Sequence, residues 1–282
     1  MLSTANTIRS IHTERLQTAY YQTFGQRKPE YIELIERVAI EVLDHLAQSP
    51  DPYHNAEHTL YVTWVGQEIL RGKHLREDTV SPEDWLHVIV SLLCHDIGYL
   101  KGACYQDCLH ERRYATGIGN EVITLSSEAT ETSLSLWHVD RSKQFVEQRF
   151  RHSQLVNVDR LKQNIEFTRF PIPTEPTYQD TEHYPGLTRA ADLIGQMSDP
   201  DYLKKTTALF YEFEETGLNL QLGYRRPEDV CLGHSEYYRT IVYPYIQTGL
   251  AHLEAAPAGN QIIARLYTNL FVAKRKFIPK CA

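Results

Sequence analysis

Residues 52–64 read PYHNAEHTLYVTW and set two histidines, His54 and His58, four positions apart. On a helix, positions i and i+4 share one face, so the two imidazoles would be presented together. Glu57, between them, falls elsewhere on the wheel, in solvent or in an outer shell. Further along, LLCHDIGY carries His95 and Asp96 at the end of an apolar run, and GLTRAADLIGQM carries Asp192 inside another. A carboxylate in such a setting is costly unless it is paired or binds a metal. Together His58, His95, Asp96 and Asp192 supply two imidazole nitrogens and two carboxylates. That mixture suits a divalent transition metal, or Mg²⁺ at a second, oxygen-rich position. Singly, each has an ordinary explanation. Thirteen histidines make an HD dipeptide unremarkable, a histidine pair is more often surface or core than ligand, and Asp192 could be paired with Arg189. The joint order of histidine, HD and aspartate, each beside apolar sequence, carries the signal.

The elements that must position these groups read as helices. In 29–49, Ile32, Ile35, Val38, Ala39, Val42 and Leu46 recur at threes and fours, and 55–71 continues with Leu60, Val62, Trp64, Val65, Ile69 and Leu70. Ser81 and Pro82 open the next helix as N-cap and first residue, with Gly98 expected to end it. Its interior is apolar nearly all round, which places it in the core. Further helices are expected around 127–151, 158–167, 186–197, 200–216, 234–254 and 259–276, with loops at 169–186 and 217–229. No strand alternation or internal repeat is visible. The expectation is one all-α domain over 1–282, with N-terminal helices in 1–49 and a core over about 50–275.

The formal net charge of −7 argues against binding a nucleic-acid polymer. It does not exclude a small phosphorylated substrate, because a metal supplies positive charge locally. The N-terminus has no apolar core of signal-peptide length, and the longest apolar stretch, 88–94, is too short to span a bilayer. No membrane association and a cytoplasmic location are expected. Five cysteines do not read as a disulfide framework. Cys104, Cys108 and His110, with Cys231 and His234, could form a structural zinc site, although the spacing matches no common finger; reduced thiols are the simpler reading.

The order His58, His95–Asp96, Asp192 resembles the HD superfamily of metal-dependent phosphohydrolases. Within it, YHNAEH at 53–58 resembles the YHNxxH signature of the cyclic-nucleotide phosphodiesterase catalytic domain. The stretch 190–217 is similar to that family's segment around its last metal aspartate, and YYRTIVYPYI at 237–246 to its late helix beside the base-binding pocket. The resemblance implies an all-α, HD-type helical bundle around a metal site. It implies that His58, His95, Asp96 and Asp192 hold a first metal, that Asp96 bridges to a second, and that His54 is the general acid. One or two divalent ions among Mn, Mg, Zn, Ni and Fe would be the cofactors. The implied activity is hydrolysis of a phosphate mono- or diester of a small metabolite or nucleotide, cyclic nucleotides included. Departures fall around this core. Tyr99 stands where the family's HD-x-x-H pattern ends in histidine, and Gly195 where an asparagine is expected. His234 takes the place of the purine-reading glutamine, with Tyr237 as stacking aromatic; His234, Tyr237 and Tyr99 form the expected substrate shell, and Glu128 a second-shell glutamate. That altered shell implies a pocket that takes an aromatic or nucleoside group loosely. Two alternatives share the scaffold. One is a non-catalytic metal- or nucleotide-binding signalling domain. The other is a di-iron oxygenase, which would need more histidine ligands, with His110 and His138 as candidates.

Overall fold

The computed structural model describes residues 4–49 and 53–276. About 70% of the chain is helical and 3% is in strands, in keeping with the all-α expectation. The ends of the expected 1–282 domain (1–3 and 277–282) and residues 50–52, at its internal boundary, lie outside the described residues. The helices are α1 (Thr4–Phe24), α2 (Pro29–Leu46), α3 (Ala56–Glu77), α4 (Pro82–Cys94), α5 (His138–Phe150) and α6 (Val158–Glu166). They continue with α7 (Tyr184–Ser198), α8 (Tyr202–Thr216), α9 (Leu218–Leu222), α10 (Pro227–Tyr237), α11 (Tyr243–Leu253) and α12 (Gly259–Lys276). No helix among the described residues is long and apolar enough to cross a membrane.

Local chemistry fixes the ends that matter. Asn55 caps α3, its side chain accepting from the amides of Glu57 and His58, which sets His58 in the first turn. Ser81 and Asp84 form a reciprocal capping box on α4, with Pro82 behind it. The α4 interior is buried from Trp85 to Cys94, as its apolar sequence predicts. The helix ends at Cys94 rather than at Gly98, so His95 is its cap residue and Asp96 leads into a tight turn, Ile97–Tyr99.

Four expectations are corrected. The span 127–151 is not one helix: Glu131–Trp137 is a tighter 3-10 turn, and only α5 is α-helical. A short antiparallel hairpin, β1 (Arg113–Ala115) and β2 (Val122–Thr124), precedes it, its strands too short to show alternation. The expected loop 217–229 contains α9 and the start of α10. The expected helix 234–254 is interrupted by a π-helical turn, Tyr238–Val242.

Close backbone packing brings the site elements together. The α3 helix lies between α7 and α11, and α4 packs on α2, α3 and α6. Gly195 on α7 faces α3: a Cβ there would stand 2.7 Å from Val62 Cγ2 and 3.0 Å from Val62 Cα. This explains the departure from asparagine, since that side chain would push α7 off α3. Gly98 is tighter still, because a Cβ would overlap the His138 carbonyl oxygen. Gly98 N donates to Ser142 Oγ at 2.9 Å, and Ser142 Oγ donates to His95 O at 2.7 Å. The turn after the HD pair is thus fastened to α5. Gly98→Ala should cost about 1–3 kcal/mol through overpacking. It should disturb the His95–Asp96 pair at the same time, read as a lowered melting temperature and lowered content of any divalent ion that pair helps to hold. A variant with unchanged values of both would remove this fastening from the explanation.

Candidate metal centre

His58 comes from the first turn of α3, His95 and Asp96 from the end of α4, and Asp192 from the middle of α7. His95 Nε2 lies 3.1 Å from Asp96 Oδ2 and 3.6 Å from Asp192 Oδ1. His58 Nε2 lies 3.4 Å from Asp96 Oδ2 and 3.5 Å from Asp192 Oδ1. Ligands about 2.1 Å from one ion sit roughly 3.0 Å apart at right angles and roughly 3.4 Å apart at tetrahedral angles. The His58, His95 and Asp192 atoms all lie within 4.8 Å of one another, as ligands of one ion would, and Asp96 Oδ2 sits against both imidazoles. His95 Nδ1 is 2.7 Å from Leu92 O, which assigns it as the donor and leaves the Nε2 lone pair facing the carboxylates. His95 Nε2 and Asp96 Oδ2 are both buried, yet neither completes a hydrogen bond of acceptable geometry. Two imidazoles, two carboxylates and orphaned buried atoms fit a divalent cation.

The electrostatics agree. Burial opposes charge on all three of His95, Asp96 and Asp192, and the pairing overcomes it. His95 is held well above the ordinary histidine range by Asp96 and Asp192. Asp96 is held far below the usual carboxylate range by His95, and Asp192 is lowered to about 2 by the adjacent imidazoles of His58 and His95. The cluster demands positive charge, whether as a proton or as a cation. Arg189 does not supply it. Its guanidinium turns away to donate to Tyr178 O and Asp180 O and lies 4.1 Å over the Tyr245 ring. The simple ion pair with Asp192 is thereby set aside.

His54 stands beside this cluster. Its Nδ1 is 2.7 Å from Glu212 Oε2, and Glu212 Oε1 accepts from Tyr53 N at 3.0 Å. The His54 ring stacks on Tyr99 at 4.2 Å, and Tyr99 stacks on His138 at 4.5 Å. Tyr99 is buried and spends its ring on orienting imidazoles. The side chains of His54 and Asp192 keep 18% and 21% of their surface accessible, against 1–6% for His58, His95 and Asp96. The cluster is therefore reached from the side of His54 and Asp192. Glu57 points outward, 3.4 Å from Lys205 Nζ, as its place on the wheel implies.

Glu212 is the residue that sequence reasoning missed. Nothing in FYEFEETG separates it from Glu214 and Glu215 except its place on the buried stripe of α8 with Thr206 and Leu209. The expected second-shell residue, Glu128, is instead exposed in the turn after β2. A carboxylate in solvent does not orient a buried imidazole; Glu212 holds that position beside His54. Any turnover that depends on His54 should fall about 10-fold to 100-fold in Glu212→Gln, the usual cost of losing an outer-shell partner. Metal content should stay near wild type. Equal loss of metal would instead make Glu212 part of the cage.

The expected substrate shell divides. Tyr237 is half-buried, its hydroxyl 3.4 Å from Gln196 Oε1 and its ring edge-on to Phe170. Burial and the nearby Asp192 raise its pKa, which places it close to the cluster. His234 is buried behind Tyr202, with Nδ1 3.1 Å from the Tyr202 hydroxyl, and burial lowers its pKa to about 4. It supports Tyr202 rather than facing solvent. His138 is buried beside Tyr99 and burial lowers it to about 4. His110 is exposed next to Cys108 and Glu111. The zinc alternative does not assemble: Cys104 and Cys231 are buried, Cys104 Sγ against Arg141 O, while His110 sits at the surface and His234 faces Tyr202. Cys108 Sγ is 3.3 Å from His110 Nδ1, and ligand atoms of Cys108, His110 and Glu111 lie within 4.8 Å of one another near the surface, without Cys104, Cys231 or His234. No disulfide joins the described cysteines.

Comparison with curated proteins finds no match. A family model does match, over residues 3–276, and it covers α3, α4 and α7 with every residue of the cluster; the chain belongs to the Npun_R2479-like family.

Proposed function

We propose that this chain is a metal-dependent phosphohydrolase of the HD type, acting on phosphate esters of small molecules. The carrying observation is the convergence of His58, His95 and Asp192 within 4.8 Å of one another, with Asp96 against both imidazoles and orphaned atoms on His95 and Asp96. A divalent ion held there supplies Lewis acidity and a bound water of lowered pKa. The chain's own residues do the rest. His58 and His95 present nitrogen lone pairs, and Asp96 and Asp192 neutralise the ion's charge. Glu212 accepts from Nδ1–H of His54, and in the imidazolium form of that ring Nε2–H is the proton that can pass to a leaving alkoxide. Tyr99 keeps that ring in plane. Half-buried Tyr237 offers an aromatic face near Asp192 for a nucleoside or aryl group.

The oxygenase alternative needs both additional histidines, and the exposure of His110 counts against it. The non-catalytic alternative is an outcome of the test. Purified protein is assayed against phosphate mono- and diesters with Mn²⁺, Mg²⁺, Ni²⁺ and Fe²⁺, alongside elemental analysis. Metal-dependent phosphate release supports the proposal. Retained metal without turnover on any ester would favour the binding module. A second expectation separates acid from cage. His54→Ala should slow hydrolysis of an alkyl ester about 10²–10⁴-fold, with metal content unchanged. A p-nitrophenyl ester, whose leaving group needs no proton, should lose far less. Equal losses on both esters would take the acid role away from His54.

A further inference from the structure

We infer that α8 through α10, Tyr202–Tyr237, is a cap that opens and closes as one unit beside the metal cluster, and that closure is what brings Glu212 to His54. The described apolar residues form two clusters, not one. The large one is built on α2, α3, α4, α7 and α11. The small one holds Leu209 and Phe210 of α8, Val230 of α10 and Tyr53, with Ala208, Phe213 and Tyr224 packed against it. Apart from Tyr53, all of these belong to the cap. Tyr202, Leu203 and Tyr237, at the ends of the segment, pack on the main core, and between these anchors a segment with its own core can open without exposing the rest of it, the condition for a cooperative sub-global opening.

One of its ends is pinned and the other is suited to bending. On the N-terminal side the turn after α7 is pinned by Asn269, whose Nδ2 donates at 2.9 Å to both Met197 O and Asp199 O. On the C-terminal side the helix leaves through the π-helical turn Tyr238–Val242, a backbone form that marks hinges and functional sites. The seam between cap and body is largely polar. Glu215 accepts from Thr130 N at 2.9 Å and from the Thr130 and Ser133 hydroxyls, Lys205 pairs with Glu57, and Glu212 bonds His54 and Tyr53. Water can replace such contacts at small net cost, whereas it cannot replace buried apolar ones. Base and root are anchored: α10 rests on α12, and Tyr202 reaches into the main core.

All four candidate ligands come from outside the cap, on α3, α4 with its following turn, and α7. Opening would therefore release the partner of the proton donor and leave the cage whole. Substrate entry and acid readiness would be coupled to one motion, with metal retention independent of it. The link to catalysis rests on the reading of His54 given above; the existence of the unit does not.

Hydrogen exchange of the full chain, followed by mass spectrometry with Mn²⁺ present, tests the unit directly. Amides of 202–237 should exchange through one shared opening and faster than those of α3, α4 and α7. Phe210→Ala, in the small core, should raise exchange across 202–237 at least about tenfold and leave α3 and α7 protected. Leu92→Ala, in the main core, should raise exchange everywhere. If Phe210→Ala does not fold, Val230→Ala and the seam variant Glu215→Gln carry the same expectation. Protection of 202–237 equal to that of α3 and α7, or acceleration by the small-core or seam variants that spreads into α3 and α7, would overturn the cap. Failure of the ester assay with this exchange pattern intact would reject the proposed chemistry and leave the cap standing.

Discussion

Asp96→Asn should leave the protein folded and strip it of both metal and activity. Asparagine keeps the shape of the side chain and removes its charge, so packing around a residue only 4% exposed is preserved. What is lost is the negative charge of the carboxylate whose Oδ2 lies 3.1 Å from His95 Nε2 and 3.4 Å from His58 Nε2. Removing an outer-shell partner of a metal ligand already costs about 10-fold to 100-fold in affinity. Loss of an anionic ligand should exceed that, and hydrolysis should fall with occupancy. Elemental analysis after dialysis against excess Mn²⁺ gives the answer, with His54→Ala as the variant that keeps its metal. Full occupancy in Asp96→Asn would mean that the ion is held elsewhere. The more disruptive Asp96→Ala should give the same metal result, together with lower stability.

The largest effect on stability should come from a pair outside the cluster. Arg141 is fully buried and every donor group is used: Nε on Gly98 O at 2.6 Å, Nη1 on Ala115 O and Asp107 Oδ1, Nη2 on Leu100 O and Asp107 Oδ2. Asp107, whose side chain is also inaccessible, accepts in addition from the amides of Gly102, Cys104 and Ala115. One buried ion pair therefore ties α5 both to the turn after His95–Asp96 and to the hairpin. Removing either partner leaves an unpaired buried charge, at a cost of about 3–5 kcal/mol. In a chain of this size that corresponds to a fall of about 10 °C in melting temperature. Asp107→Ala and Arg141→Met should each show it, and the double variant should lose less than the sum. Metal uptake should weaken too, because Gly98 and Leu100 lose their anchor. A change under about 2 °C in either single variant would show that water satisfies the remaining partner.

The contrast between these residues shows what the sequence made legible. The His58, His95–Asp96 and Asp192 cluster was legible because its signals are local: a histidine at the start of an amphipathic stretch, an HD pair closing an apolar helix, an aspartate inside another. Each polar group stood out against apolar neighbours, and α3, α4 and α7 could be located from period and caps. Glu212 was not legible, because one glutamate among three on α8 is selected only by which face the small core buries. Glu128 had the right chemistry in a segment that turned out to be a 3-10 turn and exposed loop. Arg141 and Asp107 were invisible for a related reason. Their pairing runs between α5 and a hairpin loop, and nothing in either segment alone indicates that both will be buried. Gly195 was first read as a missing asparagine; its contact with Val62 makes it a packing requirement. Periodicity was readable, but the i, i+4 reading of His54 with His58 did not hold, because His54 precedes the Asn55 cap of α3, and pairing across the fold was not readable.

The most direct test is anomalous diffraction from crystals of the protein soaked in Mn²⁺. The expected result is a peak about 2.0–2.3 Å from His58 Nε2, His95 Nε2, Asp96 Oδ2 and Asp192 Oδ1, with His54 still bonded to Glu212 and outside the ligand shell. No peak between these four atoms, or an ion bound without Asp192 and His95, would contradict the metal centre and the chemistry built on it.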